Sequence, residues 1–257
     1  MVISQYQQQS KAKPTLALIH GWGVNHKVFS SIEPELAEKF DLLLIDLPGF
    51  GNQVQQSIAE YDLESLANVV AEQVPDNAIV CGWSLGGLVA LKMAILAPKR
   101  YKAIGLIASS PRFVETDNWR GIKPSVLTQF AAELAKNIEQ TIARFLAIQA
   151  MGAENARSDI KQLKAQLSTM PAPSSQALYA GLDILQDTDL RDQLKSIEIP
   201  IKGIFGKLDS LVPYASVQAL AGQSCFSHLA IIEKASHAPF VSHKEAFLSH
   251  FFDMFEN

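Results

Sequence analysis

Residues 80–90, VCGWSLGGLVA, join a strand-like run (AIVC, 78–81) to a helix-like one (LVALKMAILA, 88–97) through a serine flanked by Gly82, Gly86 and Gly87. Gly82-Trp83-Ser84-Leu85-Gly86 is a G-x-S-x-G string in a strand–turn–helix setting. A turn this tight leaves no room for side chains two residues either side of the serine. It holds the serine strained, with its hydroxyl above the sheet. The helix that follows points its free N–H groups at the same spot. The junction demands a β-α fold and marks Ser84 as a candidate nucleophile.

The rest of the chain supplies such a fold. TLALIH (15–20), DLLLID (41–46), AIVCGW (78–83) and YKAIGLIAS (101–109) read as buried strands. IEPELAEKF (32–40) and DLESLANVVAEQV (62–74) read as helices between them, with Asp62 a plausible N-cap. This order predicts an α/β fold, a mostly parallel sheet with helices on both faces. From about 112 to 186 the pattern is helical throughout. Residues 126–151 form one long helix or two joined ones, with Gly152 a natural stop; 154–167 and 175–185 form two more. Strands resume at 200–209 and 228–235, and 243–255 closes as a helix. The expected organisation is a core of 1–111 and 187–257 with a helical cap inserted at 112–186. The alternative is that these helices only complete the core.

Composition narrows the class. With 257 residues, 48% hydrophobic and 19% charged, the chain is long enough for one substantial core and too apolar for disorder. A net charge of −4 gives no reason to expect nucleic acid or an anionic membrane. No apolar run approaches the ~18 residues of a membrane span, and the N-terminus has no apolar signal core. A cytoplasmic protein is expected. Cys81 and Cys225 make no disulfide framework, and Cys81 reads as a buried, inert thiol. There is no H-E-x-x-H, paired C-x-x-C or Walker-type loop, so no metal or other cofactor is implied. The glycine-rich DLPGFG (46–51) fits no phosphate cradle.

A serine nucleophile needs a base and a group to orient that base. His237 follows the last strand in EKASHAPF, and Asp209 ends the preceding one in GIFGKLDSLVP. The order Ser84, Asp209, His237 is the one this sheet type uses. Rivals are His243 as base and Asp183, Asp187 or Asp189 as acid. His26, His228 and His250 read as ordinary residues, and His20 as a structural hydrogen-bonder. Two oxyanion donors are also required. The Leu85 N–H is one; the Trp22 N–H, in His20-Gly21-Trp22-Gly23 after the first strand, is the other.

HGWG, DLPGFG, GWSLGG, the aspartate in GKLDSLVP and the histidine in SHAPF together resemble the α/β-hydrolase superfamily. HGWGVN, CGWSLGGLVA, ASSPRF, GIKPSVL, RFLAIQAMG and ASHAPFVSH carry the resemblance further, to the family of pimeloyl-acyl-carrier-protein methyl ester esterases of biotin synthesis. The resemblance implies nucleophile Ser84, acid Asp209 and base His237. It implies substrate contacts at Trp22, Ser84, Leu85, Phe145, Leu146, Ala147, Ile148, Gln149 and His237. It also implies a partner, the acidic acyl carrier protein bearing methyl pimeloyl-phosphopantetheine, held by Arg144, Arg157 and Lys161. Gln140 stands where a further arginine is expected. Arg157, Lys161 and Lys164 share one helix face by spacing. A monomer is expected. The competing readings are a broad esterase or thioesterase on small acyl esters, and a non-catalytic binding protein on the same fold.

Overall fold

The computed structural model describes residues 13–149 and 156–256, with the side chains at 148, 149, 156, 159, 162 and 166 left out of the description. Six strands, β1 (Thr15–Ile19), β2 (Asp41–Ile45), β3 (Ile79–Trp83), β4 (Ala103–Ile107), β5 (Ile201–Gly206) and β6 (Phe226–Ile232), form one sheet in the order β2-β1-β3-β4-β5-β6. Every pairing between neighbours is parallel.

The central strands β1, β3 and β4 read as apolar runs because both faces are covered, whereas β5 carries Lys202 and the edge strand β6 carries Ser227 and His228. Leu16 and Leu18 belong to one core with Ile79, Cys81, Phe247 and Phe251; Ala17 and Ile19 belong to the other with Val80, Leu88 and Phe205. Successive side chains alternate between the two. The first core lies under α1 (Glu33–Lys39) and a C-terminal helix (Lys244–Phe255). The second lies under α2 (Leu63–Ala71) and α3 (Leu85–Leu96). Asp62 caps α2 by accepting the Ser65 N–H at 2.8 Å.

Between β4 and β5 come α4 (Pro124–Leu134), α5 (Ile138–Gln149), α6 (Ala156–Leu167) and α7 (Ser175–Asp187). Over the described part of 126–151, up to Gln149, the chain forms two helices because Asn137 interrupts it. Its side chain accepts the Gln140 N–H at 2.9 Å and starts α5 afresh. The stop expected at Gly152 lies outside the described residues. Adjacent residues of α5 serve both cores, Phe145 one and Leu146 the other.

One expectation fails, and one element is unexpected. Residues 112–123 are not helical. Thr116 and Trp119 pair across an Asp117-Asn118 turn, and Glu115 N–H bonds Ile122 O at 3.0 Å. Asp-Asn favours a turn and Gly121 a close approach: a Cβ there would sit 2.2 Å from Phe113 O. The unexpected element is α8 (Tyr214–Ala221), in a stretch to which the sequence reading assigns no element. Parallel β5 and β6 need a crossover, and α8 is part of it. A short α9 (Pro239–Ser242) precedes the C-terminal helix, α10.

Candidate functional site

The chain leaves β1 toward β2 on one side, then returns to place β3 on the other. Loops from the C-terminal ends of β1 and β3 therefore diverge and open a crevice, the usual ligand position in such sheets. Trp22 follows β1 and Ser84 follows β3. Asp209 follows β5 and His237 follows β6, at the same edge.

Ser84 sits at φ 54°, ψ −119°, a conformation costly for a residue with a Cβ. Neighbours enforce it. A Cβ on Gly82 would lie 2.1 Å from Gly86 O, and one on Gly86 would lie 2.3 Å from Ile19 O. Ser84 N–H donates to Ile107 O at 3.0 Å, and its carbonyl accepts from Gly87 N–H and from the Ser109 hydroxyl at 2.7 Å. Ser109 is fully buried and follows Ala108, itself at φ 43°. Sequence reasoning missed Ser109, because nothing local distinguishes one serine of ASSPRF from another.

His237 is fully buried. Its Nδ1–H donates to Asp209 Oδ2 at 2.8 Å. Asp209 Oδ1 accepts from Leu211 N–H and Val212 N–H at 2.7 and 3.0 Å, which fixes the carboxylate. Trp83, next to Ser84, donates its indole N–H to His237 O at 2.8 Å and packs its ring on the imidazole. His237 Nε2 is buried and makes no hydrogen bond. An imidazole whose Nδ1 proton is held by a carboxylate keeps Nε2 free to accept a proton. The rival acids lie elsewhere. Asp183, Asp187 and Asp189 line a separate cavity of about 400 Å³, and Asp189 is paired with Arg112 and Arg191. His243 stands at the start of α10, its Nδ1 against Ser242 Oγ.

The loop after β1 is tied down from below. His20 Nδ1–H donates to Gly21 O at 2.7 Å, and Nε2 accepts from Leu47 N–H at 3.0 Å. Burial pushes the His20 pKa down to about 4, so the ring stays neutral and keeps that acceptor. His26, which the sequence presents as ordinary, is buried against Asp46. Asp46 accepts the His26 N–H and Nδ1–H, both at 2.7 Å, and the Asn52 N–H at 2.8 Å. A Cβ on Gly51 would strike the Asp46 carboxylate, so DLPGFG folds around Asp46 and anchors this loop. An aspartate closing a strand before a glycine-rich loop was the available signal.

Trp22 is fully buried; its indole N–H donates to Leu178 O of α7 at 2.8 Å, and its ring meets Phe145 edge-on at 4.9 Å. A Cβ on Gly181 would approach the Trp22 ring to 2.7 Å and the Leu85 side chain to 3.5 Å, which brings Trp22 and Leu85 to one place. Neither the Trp22 nor the Leu85 backbone N–H has a partner among the described residues. Phe145 and Leu146 are buried and Ala147 is exposed; the side chains of Ile148 and Gln149 lie outside the described residues. A cavity of about 470 Å³ runs from Gly23 and Asn25 to Ile142 and Leu146 of α5 and Lys164 of α6. Arg144, Arg157 and Lys161 are exposed on α5 and α6. Cys81 is buried, and burial raises its thiol pKa, so it stays protonated. Among the described residues no cluster of His, Cys, Asp or Glu could hold a metal ion, and no helix is long and apolar enough to cross a membrane.

Known proteins share this fold. The profile of the alpha/beta hydrolase fold matches residues 14–244. The chain is 48% identical over 235 residues to the pimeloyl-[acyl-carrier protein] methyl ester esterase of Aeromonas salmonicida, covering 91% of this chain and 92% of that one. The protein of the same name from Vibrio cholerae is 41% identical over 247 residues, covering 96% of each. Among solved structures, an esterase from Exiguobacterium antarcticum superposes with a TM-score of 0.83 at 20% identity, over 96% of this chain and 93% of that one. An enol-lactonase from Burkholderia xenovorans gives 0.81 at 19% identity, over 97% and 94%. The two structures speak for the fold alone. The family match and the close relatives go further: the chain belongs to the α/β-hydrolase family and, within it, to the family of the pimeloyl-[acyl-carrier protein] methyl ester esterases.

Proposed function

We propose that this protein is a cytoplasmic serine carboxylesterase. It hydrolyses the methyl ester of pimeloyl-acyl-carrier-protein methyl ester to pimeloyl-acyl-carrier protein and methanol, in biotin synthesis. The observation that carries the reading is the buried His237. Its Nδ1 is bonded to Asp209 and its Nε2 is free, beside the strained Ser84 turn, in a chain 41–48% identical to esterases of that name.

The reaction runs on this chain's own groups. Substrate entry brings Ser84 Oγ to His237 Nε2, since catalytic hydrogen bonds often form only in the complex. Oγ attacks the ester carbonyl as Nε2 takes its proton, and Asp209 stabilises the imidazolium. The tetrahedral oxyanion rests on the Leu85 and Trp22 N–H groups. One such donor is worth about 10²–10³ in rate. His237 gives its proton to the departing methoxide, releasing methanol. Water, deprotonated by the same Nε2, then frees the acid from Ser84.

The helices of residues 112–186 act as a cap. Their cavity beside Gly23, where Ile142, Leu146, Leu167 and Met170 lie alongside Glu139 and Lys164, suits an acyl chain with a polar end, and exposed Arg144, Arg157 and Lys161 suit an acidic carrier. A monomer suffices, since every proposed group comes from one chain. The test is mass spectrometry of methyl pimeloyl-carrier after incubation with wild type and Ser84→Ala. A loss of 14 Da (about one CH₂, the net change from methyl ester to acid) with wild type alone is expected. An unchanged carrier substrate beside rapid turnover of small esters would favour the broad esterase instead.

A further inference from the structure

The corner between α4 and α5 holds a cavity of about 570 Å³, whose lining includes Glu133, Lys136, Gln140 and Arg144. Arg144 is engaged there. Its Nη1 donates to Glu133 Oε1, and its guanidinium lies 5.6 Å from the centre of the Phe130 ring. Glu133 is in turn held by its own helix, since Gln129 Nε2 donates to the same oxygen at 2.9 Å. These two contacts hold the Glu133 carboxyl below its ordinary pKa, so it is ionised at neutral pH. Lys136, Arg157 and Lys161 have no ion pair among the described residues. Of the three cations assigned to the carrier, Arg144 alone among the described residues has a carboxylate against it. Ala143 borders both this cavity and the one containing Lys164, so the cations of α5 and α6 lie on neighbouring surfaces.

We propose that Glu133 is an internal competitor for Arg144 at the carrier-docking face, a carboxylate that weakens every anion approaching Arg144, so that tight docking requires a partner engaging several cap cations together. The proposal rests on the carrier-linked reading above. An incoming carboxylate or phosphate meets a guanidinium with one N–H already taken and a like charge beside it. That opposition is similar for every anion. A small anion reaching Arg144 alone has nothing to offset it, whereas an acidic protein surface also gains Lys136, Arg157 and Lys161. A penalty common to all anions leaves their ratio of affinities unchanged but raises the number of cations a partner must engage to bind tightly.

The opposite role, Glu133 holding Arg144 ready for the carrier, predicts the opposite sign, so steady-state kinetics decides. Methyl pimeloyl-carrier hydrolysis is measured at low salt for wild type, Glu133→Gln, Arg144→Gln and the double variant, with thermal melts and p-nitrophenyl acetate turnover to show that each is folded. Glu133→Gln is expected to lower KM about three- to fivefold, the range set by an exposed ion pair, with little change in kcat. Tripolyphosphate, a small polyanion, should inhibit Glu133→Gln at about threefold lower concentration than wild type. Both gains should vanish in the Arg144→Gln background. If Glu133→Gln raises KM or leaves it unchanged while Arg144→Gln raises it, the proposal is wrong and the carrier reading stands. If wild type turns over p-nitrophenyl acetate but never the carrier ester, the carrier reading fails and takes this proposal with it.

Discussion

The sheet edge and the helices above it are built on different terms. At the edge, Ser84, Asp209 and His237 are each at most 4% exposed, and each is held by a hydrogen bond: Ser84 N–H by Ile107 O, the Asp209 carboxylate by the Leu211 and Val212 N–H groups, and His237 O by the Trp83 indole. Above it, Arg144, Arg157 and Lys161 are exposed, and the one ion pair found among them, with Glu133, is half in solvent. Buried groups with every other partner satisfied lose heavily when one is removed. Exposed charges shift affinity by small, salt-sensitive amounts. On the proposed reading, chemistry is lodged where substitution is costly, and carrier binding where it is cheap.

The sharpest way to break this contrast is at the nucleophile. Ser84→Ala should cut kcat by about 10⁶ with the melting temperature nearly unchanged, and Asp209→Asn by about 10⁴. A drop below tenfold in either, measured on the carrier ester, would remove the edge from the reaction. Next comes the turn itself. Gly82→Ala places a Cβ against Gly86 O, so a loss of roughly 3 kcal/mol or more in urea unfolding is expected, with activity lost alongside.

His20 tests how tightly the loop of Trp22 is held. Its folded pKa of about 4 lies below the 6.5 of an ordinary histidine. As pH falls, the unfolded chain takes up this proton first. The stability present above about 6.5 is therefore lost on the way down to about 4, by roughly 3 kcal/mol. Urea midpoints across this range should fall less steeply for His20→Gln than for wild type. The smallest effect belongs to the cap. Arg157→Gln with Lys161→Gln should raise KM for the carrier ester about two- to fivefold at low salt and leave the melting temperature alone. The difference should fade at 0.5 M salt, where screening is strong. A change in stability instead would make these side chains structural and erase the contrast.

What could be read without coordinates follows burial. The central strands β1, β3 and β4 were legible because both faces are covered, so each is an apolar run. The Ser84 turn was legible because its glycines have no substitute there. The chain near 112–123 misled because Asp117-Asn118 and Gly121 are turn residues set among apolar ones. α8 was silent because it is eight residues long and opens on Pro213 rather than a polar cap. Asp46 before its glycine-rich loop was a visible signal, but its partner His26 was not, because the bond joins residues twenty apart whose loops meet only when β1 and β2 pair.

By itself, the sequence determined the β-α alternation, the strained serine and the candidates for acid and base, since each is written in local spacing and residue type. Tertiary structure alone decided which aspartate faces His237, that its Nε2 is left unpaired, and that Glu133 lies against Arg144. These depend on side chains far apart in the chain, and their distances exist only after the sheet has closed its two cores and the helices have settled over its edge.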